Sequence, residues 1–204
     1  MSNTLAYLLD GKIYINLTNK CTNNCVFCLR NDKDDVCGKN MWLLSENYSA
    51  VDVIEQIESL PMSEEITFCG YGEPTLKLNV LIEVAKYLKE KYPNVKLRLN
   101  TNGHANFICK RNVIEDLKDY IDVISVSLNA ITDEEYIQLS QPCFENAYEE
   151  VKKFVKASVD AGIKTFVTVV DNYKGKKMDL ELCNKVAKDL GATLRVREWI
   201  QNGY

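Results

Sequence analysis

The sequence has a single histidine, His104, and no apolar run near the roughly 20 residues that a membrane-spanning helix needs. Its amino terminus has no basic segment ahead of an apolar one, so no signal peptide is expected. These absences predict a cytoplasmic protein that does not enter a membrane. The chain also has little excess of either charge, since its formal net charge is −4 over 204 residues. A weakly acidic chain lacks the broad basic surface of general nucleic-acid binders, so no strong nucleic-acid interaction is predicted.

Cysteine, by contrast, is frequent, with eight in the chain. Without a secretion signal, free thiols together with a metal or redox site explain this number better than a disulfide framework does. Five cysteines stand alone and are expected to act as small buried hydrophobic residues. They are Cys37, Cys69, Cys109, Cys143 and Cys183. Cys37 is the least certain of these, because it follows Cys28 closely in a polar loop.

Strand-like and helix-like segments alternate along the whole chain, and its length predicts one domain over residues 1–204. The predicted strands are 12–18, 65–70, 95–100, 121–129, 163–170 and 193–199. The predicted helices are 45–60, 78–92, 111–119, 133–139, 144–160 and 176–190. Gly162 and Gly191 stand where helix C-caps belong, each just before a strand. This order predicts a parallel sheet built of right-handed β/α units.

Polar residues alternate with apolar ones in several of these strands. Leu97 and Leu99 alternate with Arg98 and Asn100, and strand 121–129 has the same pattern. Strands buried on both faces would be almost continuously apolar, so one face of each strand is expected to line a polar interior. The predicted fold class is therefore α/β, a partial (β/α)6 TIM-type barrel with parallel strands that is open on one side. Exposed edge strands are the alternative, but edges explain one or two such strands and not four.

The segment KCTNNCVFCLR places three cysteines, Cys21, Cys25 and Cys28, on one predicted loop at about 19–30. Soft thiolate ligands favour zinc or an iron–sulfur cluster. A structural zinc site needs a fourth ligand, for which His104 or Cys37 would have to be recruited. The other interpretation is a four-iron cluster in which one iron lacks a protein ligand and stays open to chemistry.

This cysteine segment resembles the Cys-x3-Cys-x2-Cys signature of radical S-adenosylmethionine (SAM) enzymes, including the aromatic Phe27 before the last cysteine. GYGEP at 70–74 is similar to the second motif of that superfamily. The resemblance implies a [4Fe–4S] cluster held by Cys21, Cys25 and Cys28. It also implies that SAM is cleaved reductively to methionine and a 5′-deoxyadenosyl radical, which removes a hydrogen atom from a substrate that the sequence does not identify.

The same resemblance implies a set of cofactor-binding residues. Gly70 and Gly72 permit close backbone approach, and Glu73 is an acceptor for the ammonium group of SAM. SVSLN at 125–129 is similar to a segment that contacts ribose, and NTNG at 100–103 to one near the methionine part. The predicted cofactor-binding residues are Phe27, Gly70, Tyr71, Gly72, Glu73, Asn100, Asn102, Ser127 and Asn129.

No catalytic residue is assigned from the sequence, although Arg98 and Arg197 are candidates. Together with Arg195 they would bind a carboxylate or phosphate if they face the barrel interior, and would form surface ion pairs if they do not. His104 follows an Asn-Gly turn, where a histidine is more typical of a loop than of a proton shuttle.

The longer segments LTNKCTNNCVFCLRND, FCGYGEPT, RLNTNGH, DVISVSLNA and LRVREWI look like the short TatD-linked radical SAM proteins. The chain ends after the sixth predicted strand, so no auxiliary-cluster domain is expected. Cys37 stands where this family would have a small residue before Gly38, which leaves an auxiliary or regulatory role open.

Several alternatives and partners follow from the same motifs. A glycyl-radical-activase-like or a deazaguanine-synthase-like enzyme would have a similar minimal size. Outside enzymes, the alternatives are an iron–sulfur electron-transfer or sensor protein and a zinc-binding interaction module. The expected partners are an external electron donor of the flavodoxin or ferredoxin type and, from the family name, a TatD-type nuclease. Either a small molecule or a macromolecule would close the open side of the barrel as substrate.

Overall fold

The computed structural model describes residues 3–199 of the chain. Its strands are β1 (Ala6–Leu9), β2 (Lys12–Ile15), β3 (Asp35–Val36), β4 (Lys39–Asn40), β5 (Glu65–Phe68), β6 (Lys96–Thr101), β7 (Val123–Ser127), β8 (Lys164–Asp171) and β9 (Thr193–Glu198). Its α-helices are α1 (Ala50–Glu58), α2 (Leu78–Lys91), α3 (Ala105–Cys109), α4 (Ile114–Leu117), α5 (Asp133–Ser140), α6 (Ala147–Asp160) and α7 (Leu180–Asp189). Short 3-10 helices span Leu29–Asn31 and Pro74–Lys77. None of these helices combines the length and apolar character needed to cross a membrane.

The main sheet has the strand order β1-β2-β5-β6-β7-β8-β9. β2 and β5 to β9 run parallel to one another, and helices connect most of them. Within the described residues β1 and β9 are not paired to each other, so the sheet stays open between them. This confirms the predicted partial (β/α)6 barrel with one open side, because the six predicted strands correspond to β2 and β5 to β9.

Two hairpins were not predicted. β1 pairs antiparallel with β2, and Asp10 and Gly11 between them both have positive φ, 49° and 72°. An Asp-Gly pair between apolar strands is a strong signal for a two-residue hairpin turn. The small hairpin β3–β4 turns at Cys37 and Gly38, with φ of 51° and 73°. Cys37 therefore stands where asparagine or aspartate is the usual residue.

The two faces of the sheet differ in polarity, as the alternation predicts. Leu97 and Leu99 on β6 are fully buried and belong to the same apolar core as residues of α1, α2 and α6. Arg98 lies on the opposite face, where its guanidinium stacks over the Phe166 ring of β8 at 5.8 Å. The polar face is therefore the inner one, and the apolar face packs on helices.

Several predicted helix boundaries are wrong, and the helices predicted at 144–160 and 176–190 begin only at Ala147 and Leu180. The helix predicted at 45–60 begins at Ala50, because Ser49 and Asp52 form a reciprocal capping box there. The helix predicted at 111–119 is reduced to α4, and the unpredicted α3 precedes it, ending where Lys110 adopts a left-handed conformation. The predicted glycine caps are confirmed, since Gly162 and Gly191 have φ of 79° and 75° at the ends of α6 and α7.

Candidate functional site

The three clustered cysteines lie on the loop that leaves the carboxyl end of β2, at the end of the barrel where α/β barrels carry their chemistry. All three are free thiols of intermediate exposure. The backbone N–H of Cys28 donates to the Cys25 carbonyl at 3.1 Å, and a short 3-10 helix begins directly afterwards. This tight turn brings the last two thiols to one side of the loop.

The cysteine loop is fastened to the carboxyl end of α5. The backbone N–H groups of Asn24 and Val26 donate to the carbonyls of Ser140 and Leu139 at 3.0 and 2.9 Å. Carbonyls at a helix end have no partner within the helix, so the loop satisfies them. The Arg30 guanidinium donates to two carbonyls of the same loop, those of Asn23 at 3.1 Å and Asn19 at 3.4 Å. The position of the cysteines is thus set by a helix from the middle of the chain.

Electrostatics indicates what these thiols are suited to bind. The pKa of Cys25 is raised to about 12, first by burial and then by the neighbouring Cys28 and Cys21. Burial also raises the pKa of Cys21, with Glu73 and Cys28 acting in the same direction. Deprotonated together, the three sulfurs would repel one another, and a bound cationic metal group offsets that repulsion.

The residues present fit a cluster better than a single ion. Among residues 3–199, no three His, Cys, Asp or Glu side chains are grouped as ligands of one metal ion. Thiolates that bind separate irons of a cluster need not converge on one point. The Ser140 hydroxyl is fully buried close to Cys25 and favours the thiolate form of that cysteine by hydrogen bonding. A three-thiol donor set with such a neighbour is compatible with an iron–sulfur cluster.

The GYGEP segment packs directly on the cysteine loop. A Cβ at Gly72 would lie 2.2 Å from the Thr18 carbonyl oxygen and 2.5 Å from that of Lys20. A Cβ at Gly70 would lie 2.0 Å from Oδ1 of Asn16. The Glu73 N–H also donates to the Lys20 carbonyl at 2.8 Å. Glycine is therefore required at 72 because the two segments touch there through their backbones, whereas Gly70 packs against the Asn16 side chain.

Glu73 is buried and already hydrogen-bonded within the protein. Its Oε1 accepts from the hydroxyls of Thr75 and Thr101 at 2.6 and 2.7 Å and from the Thr75 N–H at 3.1 Å. Its Oε2 accepts from the Asn102 N–H at 2.7 Å. Burial raises the pKa of this carboxyl, while these hydrogen bonds lower it. Glu73 thus ties the end of β5 to the end of β6, a bracing role that the sequence did not predict. Its predicted contact with the SAM ammonium would have to use the remaining lone pair of Oε2 and stays a prediction.

The two asparagines after β6 differ in their surroundings. Asn102 is buried, and its Nδ2 lies 2.8 Å from Thr22 Oγ1 and 3.6 Å from Cys21 Sγ. Asn100 Oδ1 is buried without a partner within the described residues. Asn102 therefore contacts the cysteine loop directly. The side-chain oxygen of Asn100 has no hydrogen-bond partner among the described residues and could accept one from a ligand inside the barrel.

The other predicted cofactor residues lie around the same end of the barrel. Ser127 ends β7, and Asn129 follows it with a φ of 59° and donates its N–H to the Thr168 carbonyl at 3.1 Å. The Phe27 ring meets Tyr173 edge-on at 5.8 Å. The Tyr71 hydroxyl donates to the Lys33 carbonyl at 2.6 Å and so holds the segment after the cysteines. Their roles toward a cofactor stay predictions.

The three arginines have different environments. Arg98 is mostly buried, pairs with Glu65 at 3.3 Å and donates to the Ser125 hydroxyl at 2.9 Å. Its guanidinium is thus held by protein groups near the amino end of β5. Arg195 and Arg197 are exposed on β9 and form no ion pair within residues 3–199. Strand register places Arg197 on the same inner face as Phe166 and Arg98, and its charge favours the thiolate form of Cys69, which follows β5.

Several expectations for single residues are corrected. Of the five isolated cysteines only Cys183 is buried, while Cys37 and Cys143 are exposed. Both exposed ones lie at turns, where backbone geometry rather than side-chain burial decides the position. His104 is not an ordinary loop residue but is 1% exposed. Sequence reasoning also missed Thr22 and Tyr136, which bond to it, because neither belongs to a recognisable motif.

Residues 15–187 match the family model described as the Radical SAM superfamily. A protein of Methanocaldococcus jannaschii named Probable GTP 3′,8-cyclase is 26% identical over 188 residues, which are 91% of this chain and 58% of that protein. A second protein of that organism, named as a candidate glycyl-radical enzyme activating enzyme, is 27% identical over 170 residues, covering 82% of this chain and 64% of that protein. The chain thus spans less than two thirds of the length of these relatives.

Solved structures share the fold. SuiB of Streptococcus suis bound to its precursor peptide SuiA gives a TM-score of 0.68 at 17% identity, covering 94% of this chain and 40% of SuiB. The same protein bound to S-adenosylmethionine gives a TM-score of 0.66 at 18% identity, covering 94% and 41%. At this level of identity the likeness establishes the fold alone.

Proposed function

This chain belongs to the radical SAM superfamily, and we propose that it is an enzyme whose Cys21, Cys25 and Cys28 hold one [4Fe–4S] cluster beside a bound SAM. Members of this family use that cluster and SAM as cofactors. When bound, they supply reductive cleavage of SAM to a 5′-deoxyadenosyl radical that removes a hydrogen atom from the substrate. The observation that carries the proposal is the three-thiol loop with a backbone-packed GYGEP segment beside it.

The roles proposed for the chain's own residues are binding and orientation. The three thiolates hold the cluster, and the α5 carbonyls fix their loop. Glu73 and Gly72 keep the GYGEP segment against that loop, so that its backbone is presented to SAM. Ser127 and Asn129 are proposed to contact the ribose, and Asn100 offers its buried free acceptor to the methionine part. Preorganised polar groups of this kind orient a cofactor without further rearrangement.

We propose an anionic substrate, because two arginines on the inner side of the open sheet have no carboxylate partner within residues 3–199. Register places Arg195 beside Thr168 and Arg197 beside Val170, toward the carboxyl ends of the strands. Guanidinium groups bind carboxylates and phosphates through paired hydrogen bonds. Arg197 is therefore preferred over Arg98, which Glu65 already neutralises.

Assignment to the TatD-linked subgroup, a cytoplasmic location, an electron donor of the flavodoxin or ferredoxin type and association with a TatD-type nuclease are part of the proposal. The sequence segments given above support the subgroup. A glycyl-radical-activase-like function is the second candidate, because a relative at 27% identity over 82% of this chain has that name.

The test of the proposal is anaerobic reconstitution with iron and sulfide, followed by dithionite and SAM and an assay for 5′-deoxyadenosine. The wild-type chain is expected to form it, and Cys25→Ala is expected to form none, because one of three cluster ligands is lost. Cys143→Ala is the matched control, since Cys143 is exposed and its N–H lies against the same loop, 2.9 Å from the Thr22 carbonyl.

Metal analysis of the same preparations separates the alternatives. Iron with sulfide in the wild-type chain supports the proposal, whereas one zinc per chain and no iron would support an interaction module. Formation of 5′-deoxyadenosine by Cys25→Ala at the wild-type rate would contradict the cysteine assignment.

A further inference from the structure

His104, the single histidine of the chain, is buried between the cysteine loop and α5. Its Nδ1 lies 2.8 Å from Thr22 Oγ1, and its Nε2 lies 2.9 Å from the Tyr136 hydroxyl. Both ring nitrogens therefore have partners, one from the loop that carries the cysteines and one from the helix that fastens it. The function proposed above assigns no role to these three side chains.

The contacts of His104 continue to a cysteine sulfur. The His104 N–H donates to Asn102 Oδ1 at 3.1 Å, which orients the amide so that Nδ2 faces the other way. That Nδ2 lies 2.8 Å from Thr22 Oγ1 and 3.6 Å from Cys21 Sγ. The side-chain amide of Asn102 thus connects the three, with His104 on its Oδ1 and with Thr22 and a proposed cluster ligand on its Nδ2.

Two neutral tautomers satisfy these contacts, and we assign the one with the ring hydrogen on Nε2. In this tautomer Thr22 Oγ1 accepts from Asn102 Nδ2 and donates its own hydrogen to His104 Nδ1. Nε2 then carries the ring hydrogen and donates to Tyr136, whose oxygen also accepts from Asn23 Nδ2 at 3.2 Å. Burial lowers the pKa of His104 from 6.5 to about 4, so the ring is neutral near pH 7.

We propose that neutral His104 is a positioning residue, which locks the cysteine loop to α5 through Thr22 and Tyr136 and directs the Asn102 amide toward Cys21 Sγ. The inference rests on the proposed function, because it concerns the sulfur of a cluster ligand. Hydrogen bonds to ligand sulfurs raise the reduction potential of iron–sulfur clusters. The network should therefore make the cluster easier to reduce than the three thiolates alone would.

The first experiment determines the tautomer and the charge of the His104 ring in protein without a cluster. Because the chain has one histidine, untagged protein labelled with ¹⁵N-histidine gives the signals of a single imidazole. The expected result near pH 7 is a neutral ring with its hydrogen on Nε2 and a bare Nδ1. A ring with its hydrogen on Nδ1, or a charged ring, would overturn the inference.

The second experiment measures the midpoint potential of the reconstituted cluster by an EPR-monitored titration. Thr22→Val removes the hydroxyl between His104 and Asn102, and Tyr136→Phe removes the other partner of the ring. Both are expected to lower the potential at unchanged iron and sulfide content, with the larger shift for Thr22→Val. Thr22→Ser keeps the hydroxyl and is expected to keep the wild-type potential.

Tyr148→Phe is the matched control, because Tyr148 packs on Tyr136 with ring centroids 5.6 Å apart, and within residues 3–199 its hydroxyl donates only to the Ala130 carbonyl. Its potential is expected to equal that of the wild type. An unchanged potential in Thr22→Val with an intact cluster would overturn this inference and leave the proposed function in place. Failure of the wild-type chain to hold iron would instead overturn the proposed function.

Discussion

At the scale of single residues, the His104 ring has hydrogen-bond partners at both of its nitrogens. The sequence predicts a loop residue here, and His104 does follow the Asn-Gly turn at 102–103. The ring is nevertheless buried, because Phe144 packs edge-on against it at 4.7 Å and Thr22 and Tyr136 fill its hydrogen bonds. Partners from three distant segments meet there, and no local pattern in the sequence could place them together.

The burial of His104 predicts a pH dependence of stability. Its pKa is lowered in the folded chain to about 4 from 6.5, so the unfolded chain binds the extra proton between these values. The stabilisation is therefore present above pH 6.5 and is lost as the pH falls toward 4. From about pH 7.5 to about pH 5 the loss from this one group is about 2 kcal/mol.

Urea unfolding of the apoprotein at both pH values, for wild type and His104→Gln, measures this loss. Carboxyl groups titrate alike in both proteins. The difference between their losses of unfolding free energy over this pH range therefore isolates the histidine. The variant is expected to lose about 2 kcal/mol less than the wild type between these pH values. Equal losses would show that the ring is not held neutral by burial.

At the scale of elements, the site is made where two loops touch. The loop after β5 packs on the loop after β2 at Gly72, with no room for a side chain. The sequence predicts that these glycines permit approach to a cofactor, and this stays a prediction. In the structure Gly72 meets the backbone of Thr18 and Lys20, and Gly70 meets the Asn16 side chain. The motif spacing predicted which loops matter, and only the structure shows that they brace each other.

Gly72→Ala tests this contact. The added Cβ would lie 2.2 Å from the Thr18 carbonyl oxygen, so the cysteine loop has to shift. The expected result is a loss of about 1–3 kcal/mol in the free energy of unfolding and a lower iron content after reconstitution. Urea unfolding and iron analysis are the measurements.

Gly175→Ala is the control for that variant, since nothing lies within 4 Å of a Cβ there and only its φ of 83° is unfavourable. It is expected to bind iron like the wild type. Full iron content in Gly72→Ala would show that the two loops do not depend on this contact.

At the scale of the whole molecule, the strand and helix order predicted the open parallel barrel correctly, because alternating polarity in strands such as β6 is visible in the sequence. The antiparallel hairpin β1–β2 was not predicted, although Asp10 and Gly11 are a typical sequence signal for its two-residue turn. The proposed cysteine ligands come from the resemblance of their segment to a family motif. The support of their loop by α5 and β6 could not be predicted, because it depends on tertiary contacts between residues 80 or more positions apart, such as Thr22 with Asn102 and Asn23 with Tyr136.

The measurement that tests the central claim most directly is the EPR spectrum of the reduced, reconstituted protein before and after addition of SAM. Three protein thiolates leave one iron of a four-iron cluster without a protein ligand, so SAM is predicted to change the spectrum. Identical spectra with and without saturating SAM, in a protein that holds four irons per chain, would contradict the account.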